Sequence, residues 1–195
     1  LLESMEERQV SVDGTTYQLE LPFMVIATQN PIEMEGTYPL PEAQRDRFMA
    51  RVAIGYPTHA AELDMLESHG TTDPLAALEP VTDGATVQGL IEAVKTVYVS
   101  PAVKNYLVQI VHATRNSREL RLGASPRATL QLLRASRALA ALGGRGYVSP
   151  DDVAGLAPTV LSHRVLPSAD AQISRRTVDE IVAHLIASVH LPDHR

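Results

Sequence analysis

The chain has 195 residues, a formal net charge of −6 and an apolar content of 45%, values typical of a globular protein large enough to bury its own core. It contains no cysteine, which excludes disulfide frameworks and thiolate metal sites. It has no run of about 18 apolar residues and no basic-then-apolar start, so we expect no membrane span, no signal peptide and a cytoplasmic location.

The first 21 residues predict a helix followed by a β-hairpin. Residues 1–7 look like a helix already under way, because nothing caps its start, so we expect the domain to begin upstream of Leu1. The following stretch, "RQVSVDGTTYQLEL", alternates apolar and polar residues around Asp13-Gly14. This dipeptide readily supplies the positive φ angles of a tight hairpin turn.

Residues 22–57 predict the pieces of an α/β layer. The apolar run "PFMVIAT", residues 22–28, has β-branched members, as expected of a central strand that is covered on both faces. The stretch "LPEAQRDRFMA", residues 40–50, predicts a helix with Pro41 and Glu42 in its first turn. The stretch "RVAIGYP", residues 51–57, predicts a second strand that stops at Pro57.

Helical periodicity takes over after Pro57. The stretch "HAAELDMLESHG" predicts a helix that Gly70 terminates. Three later helices share a start signal, with Ser at the N-cap and Pro at the first helical position. These starts are Ser100-Pro101, Ser125-Pro126 and Ser149-Pro150, and Asp152 adds a capping-box pattern to the third.

The last helical stretch is "RRTVDEIVAHLIASVH", residues 175–190. It predicts an amphipathic helix with one apolar side. That side consists of Val178, Ile181, Val182, Leu185 and Val189. We therefore divide the chain into an α/β part, residues 1–57, and an all-helical part, residues 58–195.

Polar side chains end the first predicted strand, at Thr28, Gln29 and Asn30. In an open α/β sheet, ligands bind just beyond the carboxyl ends of the strands. The amide of Asn30 can both donate to a phosphate oxygen and accept from a water. The alternative is an Asx turn before Pro31, which the local sequence by itself favours.

Arg127 follows the first residue of a predicted helix, Pro126, and so lies in the first turn. The helix dipole disfavours a cation there by about 0.3–1 kcal/mol. An anion held by the guanidinium and by free backbone amides would explain the position. An exposed arginine, whose unfavourable interaction with the helix dipole is screened by solvent, explains the position equally well.

Arg45 and Arg47 lie two residues apart on another predicted helix. They are separated by roughly 200° around the helix axis, so only one of them can address a given partner. Both could also be plain surface charges near a helix C-terminus, where the dipole favours cations.

Several catalytic motifs are absent from the sequence. It contains no G-x-x-x-x-G-K-[ST] motif and therefore no phosphate-cradling loop of its own. Its seven histidines show no H-E-x-x-H spacing, so no metal site is predicted. No nucleophile elbow is present either.

Three stretches together, "LLESMEERQV", "FMVIATQNPIEMEGTYPLPEAQRDRF" and "GASPRA", closely resemble the MoxR family of AAA+ ATPases. The match is specific through residues 1–57 and 123–128 and looser through the other helices. The resemblance implies the C-terminal part of an AAA+ P-loop NTPase α/β core followed by a helical lid domain. It also implies that the Walker A and Walker B motifs lie before Leu1.

The resemblance assigns roles to individual residues. Asn30 in "TQNP" resembles sensor 1, which orients the water that attacks the γ-phosphate. Arg47 in "DRF" looks like the arginine finger, which is offered to the nucleotide of a neighbouring subunit. Arg127 in "SPRA" resembles sensor 2, which reaches from the lid towards the phosphates. The family usually carries an apolar residue in place of Arg45 and commonly Gln in place of Met34; the first departure leaves open whether Arg45 or Arg47 is the finger.

The function that this resemblance implies is chaperone-like maturation or remodelling of partner proteins, driven by ATP hydrolysis. ATP and Mg²⁺ would serve the full-length protein, in a ring of subunits that is expected to be a hexamer. Proteins with a von Willebrand factor A domain are expected partners. Without its Walker motifs, this chain alone is expected neither to bind ATP tightly nor to hydrolyse it.

The alternative function is a nucleic-acid-binding helical module. Residues 1–84 hold 15 acids and 4 bases, whereas residues 85–195 hold 8 acids and 13 bases. Nine of these bases face a single acid, Glu119, between Lys95 and Arg145. Such a stretch could bind phosphates or form a solvated helical face. Only Tyr98 and Tyr106 could stack on bases there, and the acidic first half would repel DNA, so we expect no nucleic-acid partner.

Overall fold

The computed structural model describes residues 2–29, 40–69, 75 and 78–191. The first part of the chain contains α1 (Leu2–Glu7), β1 (Gln9–Val12), β2 (Thr15–Gln18), α2 (Glu42–Arg45), α3 (His59–His69) and α4 (Gly84–Lys95). The second part contains α5 (Pro101–Asn116), β3 (Leu120–Leu122), α6 (Pro126–Leu142), α7 (Pro150–Leu161), β4 (Leu166–Pro167), α8 (Ala169–Ile173) and α9 (Val178–Ser188). Within the described ranges, no helix is long and apolar enough to cross a bilayer.

The structure confirms the helix and hairpin predicted at the start of the chain. β1 pairs antiparallel with β2, with Val10 opposite Tyr17. Asp13 and Gly14 have φ angles of 50° and 80°, the left-handed values that a two-residue hairpin turn requires. Glu3 of α1 accepts a 2.7 Å hydrogen bond from the hydroxyl of Ser11, which ties the helix to the hairpin.

The two strands predicted at residues 22–28 and 51–57 are wrong. Residues 23–29 and 51–58 have no regular secondary structure. Met24 and Ile26 are each 76% exposed, and Ile54 is 93% exposed. A central strand must satisfy its backbone groups against strands on either side. The described parts of the chain provide no such neighbour for either segment, so an apolar run alone does not form a strand.

The helix predicted over residues 40–50 is shorter than expected. α2 ends at Arg45, and Pro41 is its N-cap rather than part of its first turn. Arg47 therefore lies in the turn after the helix, where its N–H donates to the carbonyl of Gln44 at 3.1 Å. The carbonyl of Ala43, which would accept from this N–H if the helix continued, accepts from Nη1 of the Arg47 side chain at 2.9 Å. Beyond the helix, the carbonyls of Asp46 and Phe48 accept hydrogen bonds from the side chain of Arg164.

The hydrophobic core lies in the helical part of the chain. Its buried apolar residues run from Val97 to Val182, and the largest fully buried side chains include Ile110, Leu132, Leu161 and Ile181. Among the described residues before Val97, only Ser4 is buried. The proposed division at Pro57 remains a prediction.

The predicted helix starts are largely confirmed. Ser100 caps α5, because its hydroxyl accepts from the N–H of Val103 at 3.2 Å. Ser149 and Asp152 form the full capping box at the start of α7. Ser125 occupies the N-cap position of α6 but makes no side-chain capping bond. Gly70, the predicted end of α3, lies outside the described residues.

The last helix, α9, begins three residues later than the sequence pattern suggests. Thr177 and Glu180 form a capping box at its start. Ile181 and Val182 of its apolar side are buried, and the other three predicted members pack against the core. The sequence did not predict α4, α8 or the short β3 and β4 pair.

The Asp152 carboxylate forms the best-defined ion pair of the helical part. It accepts from both terminal nitrogens of Arg145, at 2.7 and 2.6 Å, and from the backbone N–H of Ser149 at 2.8 Å. These bonds, above all those from Arg145, lower the pKa of Asp152 to about 2 even though partial burial opposes the shift. Its side chain is only 7% exposed, so solvent screens the pair little.

We expect Asp152→Asn to lower the free energy of unfolding by about 2 kcal/mol at pH 7. A lowered carboxyl pKa stabilises the native state above the unfolded-state pKa of about 4, and this stabilisation is lost as the pH falls towards 2. Urea unfolding of both proteins between pH 7 and pH 2.5 should therefore show a difference that shrinks with acidification. Asp151→Asn, at the exposed neighbouring acid, is the control and should cost less than about 1 kcal/mol. A pH-independent difference for Asp152→Asn would contradict this assignment.

Candidate functional site

Asn30, the predicted sensor 1 residue, lies outside the described residues. The segment leading to it, residues 23–29, is irregular and, apart from the partly buried Val25, exposed rather than a buried strand. The role of Asn30 therefore stays a prediction.

Arg127 lies in the first turn of α6, as predicted. One terminal nitrogen, Nη2, forms an ion pair and hydrogen bond with Oε1 of Glu6. The other, Nη1, is 3.6 Å from Oδ2 of Asp46. The cation at this helix end is therefore compensated by two carboxylates of the same chain. This supports the view that an anionic group stabilises Arg127 at this position.

Arg47 contacts the same carboxylate as Arg127. Its Nη2 lies 2.7 Å from Oε2 of Glu6, and its Nη1 donates to the carbonyl of Ala43 at 2.9 Å. Its Nε is buried and has no hydrogen-bond partner among the residues that the structure describes. The two arginines thus bind opposite oxygens of Glu6. Hydrogen bonding from Arg47 is the main cause of the lowered pKa of Glu6.

Arg45 is placed differently from Arg47. It is the last residue of α2, and its Nη2 lies 4.0 Å from Oε1 of Glu42 within the same helix. The structure therefore brings Arg47 into contact with the carboxylate shared with Arg127, while Arg45 pairs locally.

Ser125 explains why α6 lacks a side-chain cap. Its hydroxyl donates to both carboxylate oxygens of Asp46, at 3.0 and 2.9 Å. Because the hydroxyl is used in this way, it makes no bond to the first-turn amides of α6. Asp46 immediately precedes Arg47, so this contact joins the turn after α2 to the start of α6.

Arg164 is a buried charge that the sequence analysis did not identify. Its side chain is 1% exposed, and its Nε lies 3.2 Å from Oδ1 of Asp46, although the N–H is not aligned for a hydrogen bond. Its terminal nitrogens donate to the carbonyls of Val160, Asp46 and Phe48 and to the side-chain oxygen of Gln131. Burial lowers the pKa of Arg164 to about 10, which still leaves it charged at neutral pH.

His163 and Gln131 add further contacts to the same turn. The Nε2 atom of His163 donates to the carbonyl of Phe48 at 3.0 Å. Burial lowers the pKa of His163, which favours the neutral imidazole. The side chain of Gln131 donates to the carbonyl of Arg47 at 3.4 Å. Residues 46–48, which we name the finger segment, are therefore held by side chains of α6 and of the turn after α7.

No local pattern in the sequence could have identified Glu6, Asp46 and Arg164 as a group. Glu6 is 41 residues from Arg47 and 121 from Arg127, and Arg164 is 118 residues from Asp46. Within the described ranges, no group of three or more histidines and acids could hold a metal ion.

The basic stretch from Lys95 to Arg145 is partly engaged within the chain. Arg145 binds Asp152, Arg127 binds Glu6, and the Nε of Arg115 donates to the carbonyl of Ala124 at 2.8 Å. Fewer free cations remain for the alternative function in nucleic-acid binding.

Comparisons with known proteins identify the family. Residues 1–50 match the ATPase family associated with various cellular activities (AAA), and residues 112–185 match the AAA lid domain. The chain is 44% identical to an uncharacterized protein, YeaC, of Bacillus subtilis over 100% of its length, and 40% identical to the chaperone MoxR1 of Mycobacterium tuberculosis over 98%. It is 30% identical to the protein MoxR of Paracoccus denitrificans over 98%.

The chain spans 61%, 53% and 62% of the lengths of these three relatives, respectively. A crystal structure of a candidate ATPase from Cytophaga hutchinsonii shares the fold, with a TM-score of 0.90 and 32% identity; the match covers 98% of this chain and 61% of that one. The fold is thus that of an AAA+ ATPase, with small sheets and a helical lid. The chain belongs to the MoxR family of AAA+ ATPases.

Proposed function

We propose that this chain supplies the phosphate-sensing residues of an ATPase that performs chaperone-like remodelling or maturation of partner proteins. The observation that carries the proposal is the convergence of Arg47 and Arg127 on one carboxylate, Glu6. A carboxylate and a phosphate present similar oxygen acceptors to a guanidinium. A pair of arginines that binds the first is chemically suited to bind the second.

The residues fit a nucleotide phosphate but not a metal ion. When bound, ATP supplies a transferable γ-phosphoryl group. Arg127 would hold phosphate oxygens from the lid, and Asn30 would orient the attacking water. Arg47 would neutralise the charge that develops on the γ-phosphate of the nucleotide bound by a neighbouring subunit. We assign no Mg²⁺ ligand, because the described ranges contain no suitable cluster.

The proposed finger role requires Arg47 to leave Glu6. A finger acts on the nucleotide of a neighbouring subunit, whereas sensor 2 acts on its own, yet both arginines bind Glu6 here. The side chains of Glu6 and Arg47 are 36% and 22% exposed. Solvent screens exposed ion pairs of this kind, so an incoming phosphate can replace the carboxylate at little cost.

The isolated chain is proposed to be inactive. The sequence contains no phosphate-cradling loop, and arginines without such a loop have no nucleotide to act upon. ATP hydrolysis by the purified chain that Asn30→Ala abolishes would contradict this view. For the intact ATPase we propose a ring of subunits, a hexamer, located in the cytoplasm. Partners containing a von Willebrand factor A domain remain part of the proposal.

We expect Arg47→Ala, made in the intact ATPase, to lower turnover by about 10³ to 10⁵. Nucleotide binding should be unchanged, because the finger contributes to hydrolysis rather than to binding. Steady-state phosphate release and the binding of a fluorescent ATP analogue measure the two effects separately. Arg45→Ala is the matched control and should change turnover by no more than about threefold. If Arg45→Ala abolishes turnover and Arg47→Ala does not, the arginine finger is Arg45 and not Arg47.

We expect Glu6→Gln in the present chain to strengthen the binding of inorganic pyrophosphate by roughly threefold to tenfold. The substitution removes the carboxylate that competes with phosphate for Arg47 and Arg127. Calorimetric titration at low salt measures the effect. Glu7→Gln makes the same change of charge at the next residue, which pairs with Gln9 instead, and should give a smaller gain. Equal gains in the two variants would show that general electrostatics, and not the arginine pair, controls binding.

A further inference from the structure

The carboxylate of Asp46 joins the finger segment to three groups of the lid. It accepts from the hydroxyl of Ser125 at 3.0 and 2.9 Å and lies 3.2 Å from Nε of Arg164. It is also 3.6 Å from Nη1 of Arg127. Because Asp46 directly precedes Arg47, one carboxylate is linked to both proposed phosphate-binding arginines. Arg47 is linked to it through the backbone and Arg127 through space.

Arg164 completes this junction from the buried side. Its Nη1 donates to the carbonyl of Val160 in α7 at 2.6 Å. Its Nη2 donates to the carbonyls of Asp46 and Phe48 and to the side chain of Gln131 in α6. The planar fork of the guanidinium reaches all these acceptors at once, which the single ammonium of a lysine cannot do. Arg164 therefore holds α6, α7 and the finger segment together.

We propose that Asp46 and Arg164 are positioning residues that fix the finger segment to the helical lid, so that Arg47 and the lid move as one body. Gln131 and His163 donate to carbonyls of the same segment, and just beyond it the N–H of Arg51 donates to the carbonyl of Thr159 at 3.0 Å. Arg164 contacts the segment at three points: the carboxylate and the carbonyl of Asp46 and the carbonyl of Phe48. Removing Asp46 would leave the buried charge of Arg164 without its opposite charge, and removing Arg164 would leave the segment without the anchor that contacts it at the most points. For its catalytic consequence, the inference rests on the proposed function.

The consequence concerns communication between neighbouring sites. Arg127 lies on the lid and is proposed to contact the nucleotide of its own subunit, whereas Arg47 is proposed to contact that of a neighbour. If both move with the lid, phosphate capture by Arg127 shifts Arg47 at the adjacent site. The Asp46–Arg164 junction is then the element that transmits the state of one nucleotide to the next.

Spin-label distances test the fixed geometry in the present chain. The chain has no cysteine, so introduced cysteines are the only thiols to label. One pair, Met49→Cys with Leu142→Cys, reports the position of the finger segment relative to α6; these side chains are 42% and 87% exposed. A second pair, Ile173→Cys with Leu142→Cys, lies within the lid and is the control; Ile173 is 82% exposed.

We expect Arg164→Lys and Asp46→Asn each to broaden the distance distribution of the first pair at least twofold and to leave the control pair unchanged. Circular dichroism checks whether each variant is folded, and Asp46→Asn is the milder change if Arg164→Lys unfolds the chain. An unchanged first pair would overturn the proposal, because the segment would then be held without the junction. Equal broadening of both pairs would also overturn it, because the lid itself would have loosened.

Kinetics in the intact ATPase test the link to Arg47. We expect Arg164→Lys to lower kcat at least tenfold with less than a twofold change in KM, and to have no further effect in an Arg47→Ala background. Arg176→Lys is the control, because Arg176 pairs with Glu119 at 2.8 Å elsewhere in the lid. A full tenfold loss in the Arg47→Ala background would show that Arg164 does not act through Arg47. If Arg47→Ala alone has no effect, the finger assignment fails, while the spin-label result still decides the positioning role.

Discussion

The buried guanidinium of Arg164 needs an opposite charge and hydrogen-bond acceptors around it. This need organises the contact between the two parts of this chain. Arg164 is almost completely removed from solvent, and a charge in that position must be surrounded by acceptors. Asp46 supplies the opposite charge, and backbone carbonyls and Gln131 supply the rest. The carbonyls that Arg164 binds lie just beyond the end of α2, so the turn after this helix is held against the helical part of the chain. This requirement also fixes Asp46 where it can take the hydroxyl of Ser125 away from its capping role.

The electrostatics of the candidate site follow from this arrangement. With the finger segment held against the start of α6, Arg47 and Arg127 come close enough to share Glu6. Two guanidinium groups close enough to contact the same carboxylate repel each other, and an anion between them offsets this repulsion. In this chain that anion is Glu6. A polyphosphate carries more charge and more acceptor oxygens than one carboxylate, so it is the natural competitor for the same pair. The AAA+ fold of the relatives agrees with this chemistry.

Local signals in the sequence predicted local structure well. Asp13-Gly14 identified the hairpin, and Ser100 and Ser149 identified the starts of two helices. The unfavourable place of a cation in a first turn singled out Arg127, although the sequence did not decide between an anionic partner and screening by solvent. These features depend on residues within one turn of each other, so their physical causes are visible in a short stretch of sequence.

Features that depend on distant partners could not be predicted in the same way. The apolar runs at residues 22–28 and 51–57 read as strands, but a strand also needs neighbours, which a run of residues cannot specify. The helix at residues 40–50 was predicted too long, and the contacts of the turn that follows it had no local signal, because Arg164 lies 118 residues away from the carbonyl of Asp46 that it binds. Glu6 carried no local signal for the same reason. The resemblance to the MoxR family assigned functional roles to Asn30, Arg47 and Arg127 but gave no indication of the contacts between Asp46 and Arg164.

The coupling energy between Asp46 and Arg164 tests the central claim most directly. A double-mutant cycle with Asp46→Asn and Arg164→Met, measured by urea unfolding of this chain, isolates the interaction between the two side chains. If the buried pair joins the finger segment to the lid, the two substitutions will be non-additive by at least about 1 kcal/mol. Additivity within about 0.3–0.5 kcal/mol would mean that the two charges act independently, and the account would be contradicted.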